Sequence, residues 1–162
     1  MRRTGETWSA VTSGTAYDVA GVWGASAGDV WACAGHKTYT RWNGTAWTSG
    51  TLGDGNFDAY AIGGSSTIDI WAVGSGGQVR HWAGAGWSSV TSGVTVALRG
   101  VYASSLSDAW LVGDGGTIRR WNGTAWTAST SGTTQALNGV WGPSASEIWV
   151  VGAGGTILHG RW

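Results

Sequence analysis

Cysteine, proline, methionine and phenylalanine each occur once in these 162 residues, and charged residues make up only 11%. A typical soluble domain carries ~25% charged residues. Each scarcity excludes something. Cys33 stands alone, so there is neither an intrachain disulfide framework nor a cysteine-based zinc site. Nine basic residues are cancelled by nine acidic ones, which leaves no positive field to neutralise phosphates, and nucleic acid is not expected as a partner. No apolar run approaches the ~18 residues that span a bilayer, so no membrane partner is expected either. Residues 1–8, MRRTGETW, lack the apolar core of a secretory signal, and the localisation expected by default is cytoplasmic. Disorder is excluded by an apolar content of 42%.

What the chain has in abundance is glycine, with 30 residues, and tryptophan, with 14. The tryptophans are periodic. Trp31, Trp71, Trp110 and Trp149 are spaced by 40, 39 and 39 residues, and each follows an acidic residue by two: Asp29, Asp69, Asp108 and Glu147. Trp8, Trp47, Trp87 and Trp126 repeat by 39, 40 and 39, and Trp42, Trp82 and Trp121 by 40 and 39. The fourth member of that last series falls at Gly160. Four copies of one unit therefore fill a single domain over residues 1–162, with repeats near 14–51, 52–91, 92–130 and 131–160, plus 5–13.

Each copy contains four short segments rich in β-branched and aromatic residues, separated by Gly, Ser, Asn or Asp. That is a strand-and-turn pattern. The second segment (Ile70-Trp71-Ala72-Val73, for example) is apolar at every position and requires cover on both faces. Four strands per ~40-residue unit is the period of a propeller blade. Asn43-Gly44 and Asn122-Gly123 predict hairpins in which both residues take positive φ. The fold expected is all-β, a β-propeller of four four-stranded blades. The N-terminal segment matches a fourth strand without a blade of its own, so it is expected to supply the outer strand of the last blade, residues 6–12 pairing antiparallel with 156–160 either within one chain or with the partner chain of a dimer.

The unit Leu98-x-x-Val101…Asp108-Ala-Trp110-Leu-Val112-Gly113-x-Gly115-Gly116-Thr117-Ile118, followed by Trp126, resembles the blades of photosystem-assembly-factor-type and BNR-like propellers. It is more similar still to tryptophan-rich bacterial propeller repeats. The turn Trp121-Asn122-Gly123-Thr124-Ala125-Trp126 departs from the Asp-box pattern of some relatives. The resemblance thus implies a propeller and does not imply sialidase chemistry.

Several residues stand out against the repeat. The innermost strand carries an aromatic series, Trp23, Tyr102 and Trp141, broken only by Gly63. Copy one has Ala34-Gly35-His36-Lys37 where the others have Gly-x-Gly-Gly, and His and Lys there predict a differently shaped turn. These five residues, Trp23, Tyr102, Trp141, His36 and Lys37, are the candidate ligand-binding set. Asp54, Asn56 and Asp58 alternate as in a calcium loop, but the closing bidentate Glu is missing and no metal is expected. No nucleophile elbow and no histidine pair at metal spacing occurs, so neither a catalytic site nor a cofactor is expected. The in-phase series Asp29, Asp69, Asp108 and Glu147 and Arg41, His81, Arg120 and His159 reads as a turn cap or a tie between neighbouring blades. The functional expectation is a non-enzymatic binding module, with carbohydrate as the leading ligand. The alternative is a structural or protein-interaction propeller, or a propeller fragment with no small-molecule ligand. For assembly, the expectation is a homodimer forming an eight-bladed ring, against a closed four-bladed monomer.

Overall fold

The structure, a computed structural model, describes residues 7–161. It is built from antiparallel meanders. The first sheet contains β1 (Val19–Ser26), β2 (Asp29–Ala34), β3 (Thr38–Trp42) and β4 (Trp47–Thr51) in that order. The second contains β5 (Ala59–Ser66), β6 (Asp69–Gly74), β7 (Gln78–Trp82) and β8 (Trp87–Thr91), and the third β9 (Leu98–Ser105), β10 (Asp108–Gly113), β11 (Thr117–Trp121) and β12 (Trp126–Ser129). The fourth has three strands, β13 (Leu137–Ser144), β14 (Glu147–Gly152) and β15 (Ile157–Arg161). This is the all-β propeller-blade architecture that the repeat implies.

The hairpins between third and fourth strands form where Asn-Gly stands, but by another device. Trp42 pairs with Trp47 and Trp121 with Trp126, leaving four-residue loops. Only the glycines, Gly44 at φ 96° and Gly123 at φ 92°, take the left-handed conformation. Asn43 acts through its side chain, whose Oδ1 accepts the Thr45 and Ala46 amides at 3.0 Å each. Asn122 accepts those of Thr124 and Ala125 at 3.0 and 2.9 Å. The side chain replaces the second positive φ.

Sheets pack face to face in chain order, β1 on β5, β5 on β9 and β9 on β13. Their innermost strands approach closely because small residues stand at the crossing. A Cβ on Gly21 would lie 3.3 Å from the Ala61 Cα, and one on Gly100 3.3 Å from the Gly139 Cα. Three apolar cores follow, one per junction. Trp31, Cys33, Ile62 and Ile70 meet between sheets one and two, Trp71, Val73, Leu98 and Leu111 between two and three, and Trp110, Val112, Ile148 and Val150 between three and four. Burial pushes the Cys33 thiol up to about 11.

The packing that joins consecutive inner strands is not repeated between β13 and β1 among the described residues. Both outward faces stay open. Val22 on the first sheet and Trp141, Trp149, Val151 and Ile157 on the last are exposed. Of residues 6–12, expected as a strand on the last sheet, residue 6 lies outside the described residues, 7–12 lie in no strand within this chain, and Trp8 is 99% exposed. The free edge of β15 belongs to the fourth sheet, whereas the N-terminal segment leads into the first.

Leu111 is fully buried at the second junction. Leu111→Ala is expected to destabilise the fold by about 2–5 kcal/mol, the usual cost of emptying such a site, read from denaturant unfolding by tryptophan fluorescence.

Candidate functional site

The in-phase acidic and basic residues form a tie inside each blade rather than between blades. In the first, Asp29 Oδ1 accepts the Trp31 Nε1–H at 2.9 Å and the Arg41 Nε–H at 2.7 Å, and the Arg41 guanidinium lies over the Trp31 ring at 4.6 Å. In the second, Asp69 Oδ1 accepts the Trp71 Nε1–H at 3.0 Å and lies 2.8 Å from His81 Nε2, while the imidazole stacks on the Trp71 indole at 3.9 Å. Arg120 donates to Asp108 at 2.8 Å in the third blade. In the fourth, His159 sits 3.0 Å from Glu147 and stacks on Trp149 at 4.0 Å. Each tie links a second strand to the third strand beside it, and in the first three blades the tryptophan of that second strand packs on the next blade.

A residue in this unit escaped the sequence reading. Ser104 Oγ donates to Asp108 Oδ2 at 2.6 Å, and Ser65 Oγ makes the same bond to Asp69 Oδ2. The signal was present as a serine four residues before the acid. In the first blade that place is Ala25, and Asp29 Oδ2 is buried without a hydrogen-bond partner. Ala25→Ser is expected to stabilise the protein by about 1 kcal/mol, measured as a higher denaturant midpoint at unchanged slope.

His36 and Lys37 do not reshape their turn. Their φ values, 54° each, match the 62° and 70° of Gly76 and Gly77, so copy one keeps the glycine conformation with side chains attached. A Cβ at Gly77 would run into the Val94 carbonyl. The connection over residues 52–58 is one residue longer than its counterpart over 92–97 and leaves Lys37 room. Its amide still donates to the Phe57 carbonyl at 2.7 Å. His36 packs on Tyr17 with ring centroids 4.6 Å apart, and its amide donates to Asp58 Oδ1 at 2.9 Å. Asp58 thus serves the turn, and Asp54 acts through its carbonyl, which accepts from Arg80 at 2.9 Å. Around them lies a cavity of about 360 Å³ lined by His36, Lys37 and residues 55–58. Lys37→Gly is expected to stabilise by about 0.5–1 kcal/mol, the left-handed penalty less the entropy of glycine, read from the melting temperature.

The aromatic series of the innermost strands does converge. Trp23, Tyr102 and Trp141 line one cleft of about 210 Å³ to which all four sheets contribute, with Ile62, Gly63, Gly64, Val101, Ala103 and Val140. The break at Gly63 is steric, since a Cβ there would sit 2.7 Å from the Val101 carbonyl. Gly64 makes room for the Trp23 indole, its would-be Cβ lying 3.1 Å from Cη2. Trp141 is exposed and Trp23 and Tyr102 half-buried, and burial, then the charge of Asp108, pushes the Tyr102 phenol above its ordinary range. No charged side chain lines the cleft. It is separate from the His36–Lys37 cavity, so the five candidate residues fall into two places.

Open grooves also recur beside the glycine turns. One of about 480 Å³ runs between residues 77–80 and 90–95, and one of about 620 Å³ between 115–116 and 129–134. Glycine, serine, threonine and valine dominate their walls, and neither carries an exposed ring.

No protein-family model and no curated protein sequence matches the chain. Solved structures do. YCF48 from Cyanidioschyzon merolae superposes with a TM-score of 0.74 at 18% identity over 88% of this chain. YCF48 bound to D1 peptide gives 0.75 at 13% over 89%, and the chain spans 50% of the length of each. The computationally designed Ika4 protein gives 0.71 at 16%, covering 93% of this chain and 95% of Ika4. The fold is thus a propeller whose blades resemble the photosystem-assembly-factor type. Among the described residues no helix is long and apolar enough to cross a membrane.

Proposed function

We propose that this chain is a non-enzymatic protein-interaction propeller that holds an extended, apolar segment of a partner protein in the cleft of Trp23, Tyr102 and Trp141. The observation that carries the reading is the cleft itself. It is concave, uncharged, walled by three aromatic rings, and drawn from four rigid strands, which is the composition of a recognition pocket for apolar side chains. The Tyr102 hydroxyl and the indole N–H groups supply polar atoms for orienting a peptide backbone. The likeness to a propeller solved with a peptide bound supports a peptide as the ligand class. A carbohydrate ligand draws less support: the grooves that repeat between blades offer hydroxyls and amides but no exposed ring on which a sugar face could stack.

Phage-displayed peptides selected on the immobilised protein test the reading. Enriched sequences are expected to carry a large apolar residue and to bind Tyr102→Ala about tenfold more weakly, a difference of ~1.4 kcal/mol. Equal binding to the variant would place the site elsewhere. Absence of enrichment together with glycan-array binding would replace peptide by carbohydrate.

A further inference from the structure

We propose that two copies of this chain close head to tail into an eight-bladed ring, residues 8–12 of each forming the outer strand of the other's fourth blade and Trp149 of each seating on Trp42 and Trp47 of the other. The inference is independent of the ligand assigned to the inner cleft.

The internal junctions define what an external one must look like. At the first, Trp31 lies 5.1 Å from Trp82 and 5.8 Å from Trp87 of the next blade. At the second, Trp71 lies 5.1 Å from both Trp121 and Trp126. A forward tryptophan held by its tie thus enters a pair of tryptophans on a third and fourth strand. The first blade presents the same pair, Trp42 and Trp47, 5.9 Å apart, the same separation as Trp82 and Trp87. Among the described residues no strand precedes this blade. The last blade presents the matching indole, Trp149, with His159 stacked on it as His81 is on Trp71, yet 40% exposed where Trp31 and Trp71 are fully buried. Val151 and Ile157, in phase with Cys33 and Tyr39 of the first junction, are exposed beside it. Donor and acceptor surfaces are both formed, on opposite ends of one molecule.

The N-terminal segment supplies the second half of the argument. Residues 13–14 are fixed as the crossing between blades is fixed elsewhere. Thr40 Oγ1 donates to the Ser13 carbonyl and Ser49 Oγ to the Gly14 carbonyl, both at 2.6 Å. At the corresponding place Arg80 Nε donates to the Leu52 carbonyl at 3.0 Å, and Arg119 Nη2 to the Gly93 carbonyl at 2.8 Å. In those blades the residues just before the crossing are the outer strand of the preceding blade. Residues 8–12 are therefore led out of the first blade towards a preceding one, and they carry the outer-strand pattern. The fourth sheet has three strands, and a cavity of about 190 Å³ lies at its edge, lined in part by Trp110, Ile148, Val150, Leu158 and Gly160. By the register of the third blade, Trp8 comes opposite Gly160 and Ala10 opposite Leu158. The indole of Trp8 then enters the place that Trp87 and Trp126 take in their own blades. Because the described residues of β1 and β13 lack the packing that joins the other inner strands, the blade that receives this strand is placed on a second copy. Two such junctions related by a two-fold axis satisfy both ends and leave no open edge.

Cysteines at the predicted pair decide between copies. The protein carrying Ala10→Cys and Leu158→Cys is oxidised and run on a denaturing gel, and the unmodified protein is weighed by light scattering on a sizing column. A covalent dimer and a mass twice the 16.7 kDa of one chain are the expected results. Trp149→Ala, at retained circular dichroism, is expected to weaken the dimer at least tenfold. A cross-link within single chains with a mass of 16.7 kDa would overturn the ring in favour of a closed monomer. So would the absence of any cross-link, and a ladder of larger species would replace the ring by an open chain of copies.

Discussion

An indole is mostly apolar surface with one N–H, and burying it between two sheets costs free energy unless that N–H finds an acceptor. In the first two blades the acceptor is a carboxylate two residues earlier on the same strand. A buried carboxylate creates the next demand, met by a guanidinium or imidazole on the adjoining strand that also lies over the face of the same indole. Three needs close on one another within a blade, and the product is a large ring held at a fixed angle to its sheet. The spacing of blades, the three apolar cores and the shape of the inner cleft all depend on that ring.

Periodicity made the fold legible because the tryptophans that set the junctions are too large to be replaced casually and so mark the phase at every turn of the repeat. The convergence of Trp23, Tyr102 and Trp141 was legible for the same reason: equivalent positions on innermost strands must face a common axis. What the letters hid was conformation. His36 and Lys37 were expected to reshape their turn, yet both adopt the backbone angles of the glycines they replace, because one extra residue in the neighbouring connection removes the clash that a side chain would meet. The Asn-Gly hairpins were anticipated, but the asparagine works through its side-chain oxygen rather than its backbone angle. Whether residues 8–12 pair within the chain or beyond it could not be read from the repeat, since an in-phase strand fits any fourth blade.

The charged residues show how a low-charge protein spends its few ions. Arg41, His81, Arg120 and His159 all stand opposite the second-strand tryptophans, and Arg80 and Arg119 anchor the crossings through carbonyls. Arg99 and Arg161 pair with Asp114 and Glu147, which accords with the uncharged lining of the inner cleft.

Among the described residues, extensive packing joins each blade to its sequence neighbours, which makes the molecule close to a short linear array in energetic terms. Its stability is a sum over units and the junctions between them, as in solenoid proteins. Blades two and three own a junction on each side, whereas one and four own a single one in an isolated chain. Order is therefore graded along the polypeptide, with melting from the ends inward, and an insertion or loss of one whole unit would alter circumference before it altered foldability.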